Sequence, residues 1–207
     1  MTEAQKFLKK AYTLKGGAHT KSFYKDWAAS YEQEIKDNGY ATPYRCAAAL
    51  AACQTDKSVA VLDLGCGTGL SGEALKAAGF ATLDGTDFSQ EMLTYAQGKQ
   101  GLYRSLKLGN LDNPLPAEPG VYGAAAAVGV FSPGHATAEM IGKVMDLLTA
   151  GGCFVFSLND NALKDPSYET EIAGLQSQGL AEEAFREYGD HLPKIGMKCI
   201  VCVLRRV

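Results

Sequence analysis

The sequence predicts an α/β fold: a doubly wound, mostly parallel sheet of seven strands that ends in an antiparallel hairpin, with a helical cap at the N-terminus. Three observations predict it. From residue 58 to residue 159, apolar strand-like runs alternate with helix-like segments, the pattern of a parallel sheet covered on both faces. The first strand breaks into a glycine-rich turn, VLDLGCGTGLSG at 61–72, that opens the next helix. The last two strand-like runs, AEEAFREYG and MKCIVCVLR, have only a loop between them, which suits an antiparallel pair and not a crossover. The 207 residues are read as one domain, with a cap over 1–55 and a sheet core over 56–207.

The elements follow in order. Residues 2–15 read as a short polar helix, and 20–37 as a stronger one, because Phe23, Trp27, Tyr31 and Ile35 recur every four residues. Thr42 and Pro43 look like an N-cap and first helical residue for the helix YRCAAALAAC. SVAVLDL is a buried strand, 70–78 a helix ending at Gly79, and ATLDGTD a second strand. Ser89 caps a helix through about Gln97, LYRSLKL is the third strand, and YGAAAAVGV a fourth, rich in small residues. A helix over 136–148, a turn at Gly151-Gly152 and the strand CFVFSLN complete the alternation, and Asp165-Pro166 opens a helix to about Gln178.

Composition narrows the function classes. A formal net charge of −3 leaves no electrostatic footprint for nucleic acid. No stretch approaches the roughly 18 unbroken apolar residues of a membrane span, and MTEAQKFLKK lacks a signal peptide's apolar centre. A soluble cytoplasmic protein is expected, its six cysteines free thiols. Cys199 and Cys202 have C-x-x-C spacing, but three residues along a strand put them on opposite faces, so no metal is expected there.

The glycine turn carries two overlapping motifs: G-x-G-x-G at Gly65, Gly67 and Gly69, and the dinucleotide fingerprint G-x-G-x-x-G at Gly67, Gly69 and Gly72. Either lets a ligand approach the backbone where helix-start amides favour negative groups. Three features decide between them. Asp63, two residues before Gly65, would repel a pyrophosphate but suits an ammonium group; no basic residue lies in the turn; and the chain after the nucleotide fold leaves little for the second domain a dehydrogenase adds. S-adenosylmethionine fits: it has a cationic amino-acid end, a sulfonium, a ribose and an adenine, and no phosphate. Asp87, 20 residues after Gly67, stands at the end of the second strand, where a carboxylate can accept both ribose hydroxyls. Asp84 is the competing carboxylate, expected mid-strand or facing out.

D63-L-G-C-G-T-G69, G85-T-D-F-S-Q-E-M-L93 and L148-T-A-G-G152 together resemble the class I methyltransferases, whose fold is Rossmann-like. YKDWAASYEQEI, LDLGCGTGLSGEAL, GTDFSQEML and DPSYETEI are similar to the small methyltransferase-like family named for the Williams–Beuren syndrome chromosomal region. The resemblance implies that Gly65, Cys66 and Gly67 pass under the methionine part of the cofactor, and that Phe88 and Met92 flank the adenine. It puts Asn110 and Leu111 after the third strand, Asn110 in place of the usual acidic partner of the adenine amine, and Gly129 and Val130 beside the sulfonium. Gly123 stands where the fourth strand often begins with an acidic residue. Tyr24 and Tyr31 would reach the cofactor's carboxylate from the cap.

The acceptor pocket is expected between the cap, the 131–135 loop and the 159–168 loop, with Tyr40, Phe131, His135, Asn159 and Tyr168 lining it and His135 as the candidate general base. F131-S-P-G-H135 does not match the Asn-Pro-Pro-Tyr motif of amide and base methylation, and N113-P-L-P reads as a turn. A small, neutral or weakly polar acceptor is expected. Two rival readings stay open: a cofactor-binding partner subunit without turnover, and a nicotinamide-dependent oxidoreductase.

Overall fold

The computed structural model describes residues 30–109, 118–132 and 135–207. Helical segment α1 (30–37) leads into α2 (Thr42–Cys53). Then come β1 (Ala60–Leu64), α3 (Leu70–Ala77), β2 (Thr82–Asp87), α4 (Gln90–Gly98) and β3 (Ser105–Leu108). The second half runs β4 (Tyr122–Phe131), α5 (Glu139–Asp146), β5 (Leu148–Asn159), α6 (Ser167–Ser177), β6 (Ala181–Leu192) and β7 (Met197–Arg206). The seven strands form one sheet in the order β3-β2-β1-β4-β5-β7-β6. All pairings from β3 to β5 are parallel, and β7 is antiparallel to both β5 and β6. The fold class, including the terminal hairpin, is the one the alternation predicts.

The pleat sorts the core into two layers, since neighbours along a strand face opposite ways. Leu62, Leu64, Phe154, Phe156 and Leu158 share one face with Ile141 and Val144 of α5 and Tyr168 and Ile172 of α6. Val61, Leu83, Val155, Val201 and Val203 share the other with Cys46 and Leu50 of α2 and Leu75 of α3. Cys202 belongs to the first layer and Cys199 to the second, so the C-x-x-C pair is split across the sheet as expected. Gly123 has a packing reason: a Cβ there would lie 2.5 Å from Cβ of Val59. Among the described residues no helix is long and apolar enough to cross a membrane.

Three local expectations are corrected. The expected helix 136–148 and Gly151-Gly152 turn become a shorter α5 and a longer β5, because Leu148 already pairs with Tyr122. Thr42 does not cap α2: Ala41 holds that position, and the Thr42 hydroxyl instead meets Nδ1 of His191 at 2.7 Å. Asp84 lies mid-strand but does not face out. It is buried and held by Arg104, by Ser105 at 2.7 Å and by the Tyr122 hydroxyl at 3.1 Å.

Candidate functional site

Strand β1 pairs in parallel with β2 on one side and β4 on the other, so the order in which successive strands are laid down reverses between β1 and β4. The carboxyl ends of the strands at such a switch point form a crevice for ligands. The glycine turn after β1, Asp87 at the end of β2 and Gly129 near the end of β4 stand at those ends.

The turn after β1 uses its glycines for different ends. Gly65, Gly67 and Gly69 all have positive φ, at 65°, 53° and 97°, where a side chain is strained. At Gly65 the pressure also comes from inside: a Cβ would meet Cγ2 of Val130 at 2.6 Å. At Gly67 nothing lies within 4 Å, so its bare Cα presents open space. That is the cradle a ligand's backbone-side approach needs.

Asp87 ties the ends of β1 and β2 together. One carboxylate oxygen accepts the Gly67 N–H at 2.9 Å and the other accepts the Ser89 N–H at 2.9 Å. The Phe88 N–H also bonds this carboxylate, whose two oxygens offer about four acceptor sites in all. Burial pushes this carboxyl up to about 6, against the pull of those backbone bonds. The Ser89 hydroxyl accepts the Met92 N–H, the expected cap of α4.

Asp63 is fully buried. Its Oδ2 accepts hydrogen bonds from the Ser71 hydroxyl at 2.7 Å and the Tyr103 hydroxyl at 2.6 Å. Its Oδ1 has no partner. Burial raises this carboxyl to about 6, opposed by Tyr103 and Ser71 and reinforced by the charge of Asp87. Among the described residues, the other buried side-chain oxygens without partners are Oγ1 of Thr68, in the same turn, and Oε2 of Glu34, on α1. An unpaired buried polar atom costs about 1–3 kcal/mol, so such atoms mark where a polar ligand can complete the set.

Segment α1 is tied to this edge by charge. Lys99 bridges Glu32 of α1 at 2.7 Å and Glu73 of α3 at 2.9 Å, while its stem lies beside Gly69. Tyr31 is half-buried on the same segment. Tyr24, Asn110 and Leu111 lie outside the described residues.

At the end of β4, Gly129 has φ 72° and donates its N–H to the Ser157 hydroxyl. A Cβ at Gly129 would lie 2.7 Å from the Tyr40 hydroxyl, so the phenol reaches across this strand end. The Tyr40 ring stands edge-on to His191, with centroids 5.3 Å apart. His135 is half-buried, and its Nδ1 is 2.8 Å from the Ser132 hydroxyl, which fixes the ring.

Several expected side chains are not on an open wall. Phe131 is buried among Phe154, Phe156 and Tyr168. Tyr168 is buried too, donating its hydroxyl to the Ala136 carbonyl at 2.9 Å. Asn159 spends its side-chain oxygen on the Asn161 and Ala162 N–H groups. These three build the core and loop beneath the expected acceptor pocket; they do not line it. Met92 and Val130 are also buried, Val130 against Gly65, so their side chains brace the site from within. Phe88 is half-buried after β2, and Cys66 is buried within the turn.

His191 and Tyr103 escaped sequence reasoning. His191 is drawn beside Tyr40 and Thr42 by the β6–β7 hairpin, and Tyr103 reaches Asp63 across 40 residues. The only local signal was the glycine at 72, whose missing side chain leaves room for the Tyr103 phenol.

The donor set fits S-adenosylmethionine: a bare cradle at Gly67, a buried carboxylate with an unpaired oxygen for a cationic group, and a strand-end carboxylate with acceptor capacity for a diol. The comparisons agree. A methyltransferase-domain family pattern matches residues 61–152. Human (Homo sapiens) methyltransferase-like protein 27 is 31% identical over 188 residues, covering 88% of this chain and 76% of its own length. Magnesium protoporphyrin IX methyltransferase from Synechocystis, crystallised with bound S-adenosylmethionine, superimposes with a TM-score of 0.63 at 20% identity, over 84% of this chain and 82% of that one. A methyltransferase in complex with the Haloferax volcanii Trm112 methyltransferase activator superimposes with a TM-score of 0.65 at 17% identity, over 88% and 96%. Fold and site define the Rossmann-like class of transferases that use S-adenosylmethionine. The chain belongs to the methyltransferase family, and it is an S-adenosylmethionine-dependent enzyme.

Proposed function

We propose that this methyltransferase alkylates a small, neutral or weakly polar acceptor, and that the residues gathered at the switch point hold the cofactor. The observation that carries the cofactor side is the bridge from Asp87 to the Gly67 N–H, together with the unpaired Oδ1 of Asp63. When bound, the cofactor supplies an electrophilic methyl group on a cationic sulfur. Asp87 takes the ribose hydroxyls, Asp63 faces the ammonium, and Gly65, Cys66 and Gly67 run beneath the methionine part. Phe88 lies against the adenine, with Asn110 and Leu111 completing that side and Tyr24 and Tyr31 reaching in from the cap.

On the acceptor side, Tyr40 and His135 stand around Gly129 and the end of β4. Their work is to orient the acceptor and exclude water, since alignment alone can supply about 7–11 kcal/mol in ideal cases. His135, anchored by Ser132, accepts the acceptor's proton where the acceptor carries one. The net charge of −3 favours a small molecule over a polyanion. The kinship with the Williams–Beuren methyltransferase-like proteins is part of this reading, as is one domain working in the cytoplasm. All six cysteines are free, as a reducing compartment would keep them.

The test is methyl transfer. The protein is incubated with methyl-labelled S-adenosylmethionine and a metabolite extract, and the products are split by a small-pore filter. Label passing the filter, lost in a His135→Ala/Tyr40→Ala double variant, is the expected result. Label retained on RNA or protein would overturn the small acceptor. Tight cofactor binding with no transfer to any fraction would support a non-catalytic partner subunit instead.

A further inference from the structure

The third glycine of the dinucleotide-like fingerprint has no role toward the cofactor in the arrangement above, yet a side chain there would displace Tyr103. A Cβ at Gly72 would lie 2.3 Å from the Tyr103 hydroxyl oxygen and 2.5 Å from the ring carbon that bears it. Gly85 on β2 is pressed in the same way: a Cβ there would meet Leu106 at 2.7 Å, Cys66 Sγ at 2.9 Å and the Tyr103 ring at 3.1 Å. A phenol from the segment between α4 and β3 thus passes between two glycines, one on α3 and one on β2, to end at a carboxylate on β1.

That carboxylate is asymmetric. Oδ2 of Asp63 takes two hydroxyl donors, Tyr103 at 2.6 Å and Ser71 at 2.7 Å, while Oδ1 takes none and is buried. A carboxylate rotates freely about χ2 unless something pins it. Two donors on one oxygen pin it, and they fix which oxygen is left over. Burial holds the Tyr103 phenol far above its ordinary pKa, so it remains a proton donor throughout the working pH range.

We propose that Tyr103 and Ser71 are positioning residues for cofactor recognition: they hold Oδ2 of Asp63 so that Oδ1 is presented, unpaired, to the α-ammonium of the cofactor. Gly72 and Gly85 are the space this device needs. The inference rests on the cofactor placement proposed above and adds a selectivity to it, discrimination for the amino group. Neither Tyr103 nor Ser71 touches the cofactor; each acts through Asp63. The fingerprint that reads as a dinucleotide motif in the sequence is then the imprint of a tyrosine.

The experiment compares two probes, S-adenosylhomocysteine and its analogue lacking the α-amino group, by calorimetric titration of wild type and Tyr103→Phe. The ratio of the two dissociation constants does not depend on the fraction of protein that is active, so partial misfolding leaves it unmoved. Wild type should prefer the amino compound by about tenfold or more, the worth of one hydrogen bond to a charged group. Tyr103→Phe should bring that preference towards unity while leaving the affinity for the deaminated probe within about twofold. If Tyr103→Phe does not fold, Ser71→Ala removes the other donor and carries the same comparison, with loss of at least half the preference on a logarithmic scale expected. An unchanged ratio in the folded variant overturns the proposal and leaves Tyr103 a packing residue. Failure of wild type to bind either probe would instead overturn the cofactor placement, so the two failures are distinct.

Discussion

Asp63 and Asp87 are buried carboxylates at neighbouring strand ends, and burial raises both to about 6. In the free protein each therefore keeps its proton up to about that pH. A diol or an ammonium needs the ionised form, so binding must expel those protons. The affinity for S-adenosylhomocysteine should rise as pH increases from 5 to 7, by up to about tenfold per pH unit for each carboxylate below 6, and level off above 7. Binding at pH 6 should release protons, seen as a buffer-dependent enthalpy, and Asp63→Asn and Asp87→Asn should each remove part of the release. An affinity that stays flat from pH 5 to 7 would mean the carboxylates do not meet the ligand. At this scale the sequence was only half legible. Asp87 could be read from its distance after Gly67, because a strand and a helix of ordinary length separate them. The place of Asp84 could not, because Arg104, Ser105 and Tyr122 come from outside β2 and bury it. Phe131 and Tyr168 were likewise invisible as core, since Phe131 packs on Phe154 and Phe156 of the neighbouring strand and Tyr168 packs on Phe131.

Helix α2 and the β6–β7 hairpin are fastened by polar contacts that no local pattern shows. Thr42 meets His191, and Arg45 reaches the Glu187 carboxylate at 3.0 Å and the Asp190 carbonyl at 2.9 Å. A Cβ at Gly189 would strike the Arg45 guanidinium at 2.8 Å, so that glycine keeps the channel open. Elements with a strong period were read correctly, and α3, α4 and β7 lie where alternation puts them. Thr42 was misread as a cap because capping is a local rule and its hydroxyl found a partner 149 residues away. His191 gives this fastening a pH signature. Burial, helped by Arg45 and opposed by Asp160, lowers it to about 4, so it is neutral in the folded chain while its unfolded counterpart takes a proton below about 6.5. The stability it contributes is complete above pH 6.5 and is lost as pH falls to 4. Asp63 and Asp87 run the other way in that window, so the measurement is a difference. Between pH 7 and pH 4, wild type should lose about 3 kcal/mol relative to His191→Gln in denaturant unfolding. Parallel pH profiles for the two proteins would show that the folded imidazole takes up its proton as readily as the unfolded one.

Across the whole molecule, the sheet order places β1 and β2 on one side of the reversal and β4 on the other, and the glycine turn, Asp87 and Gly129 end at the same edge. This was the most legible level, because strand-helix alternation fixes parallel pairing and the tail fixes the hairpin. Alternation alone does not choose the nucleotide cofactor, since Gly67, Gly69 and Gly72 satisfy a dinucleotide fingerprint as well; Asp63 and the lack of a basic residue in the turn choose S-adenosylmethionine. The most direct test is calorimetric titration of wild type, Asp87→Ala and Asp84→Ala, each shown by thermal unfolding to be folded, with S-adenosylhomocysteine and with NAD. Wild type should bind S-adenosylhomocysteine and not NAD. Asp87→Ala should lose about 2–4 kcal/mol of binding, a factor of roughly 30 to 1,000, while Asp84→Ala should lose stability and keep its affinity. NAD binding tighter than S-adenosylhomocysteine, or Asp84→Ala weakening the ligand more than Asp87→Ala, would contradict the account.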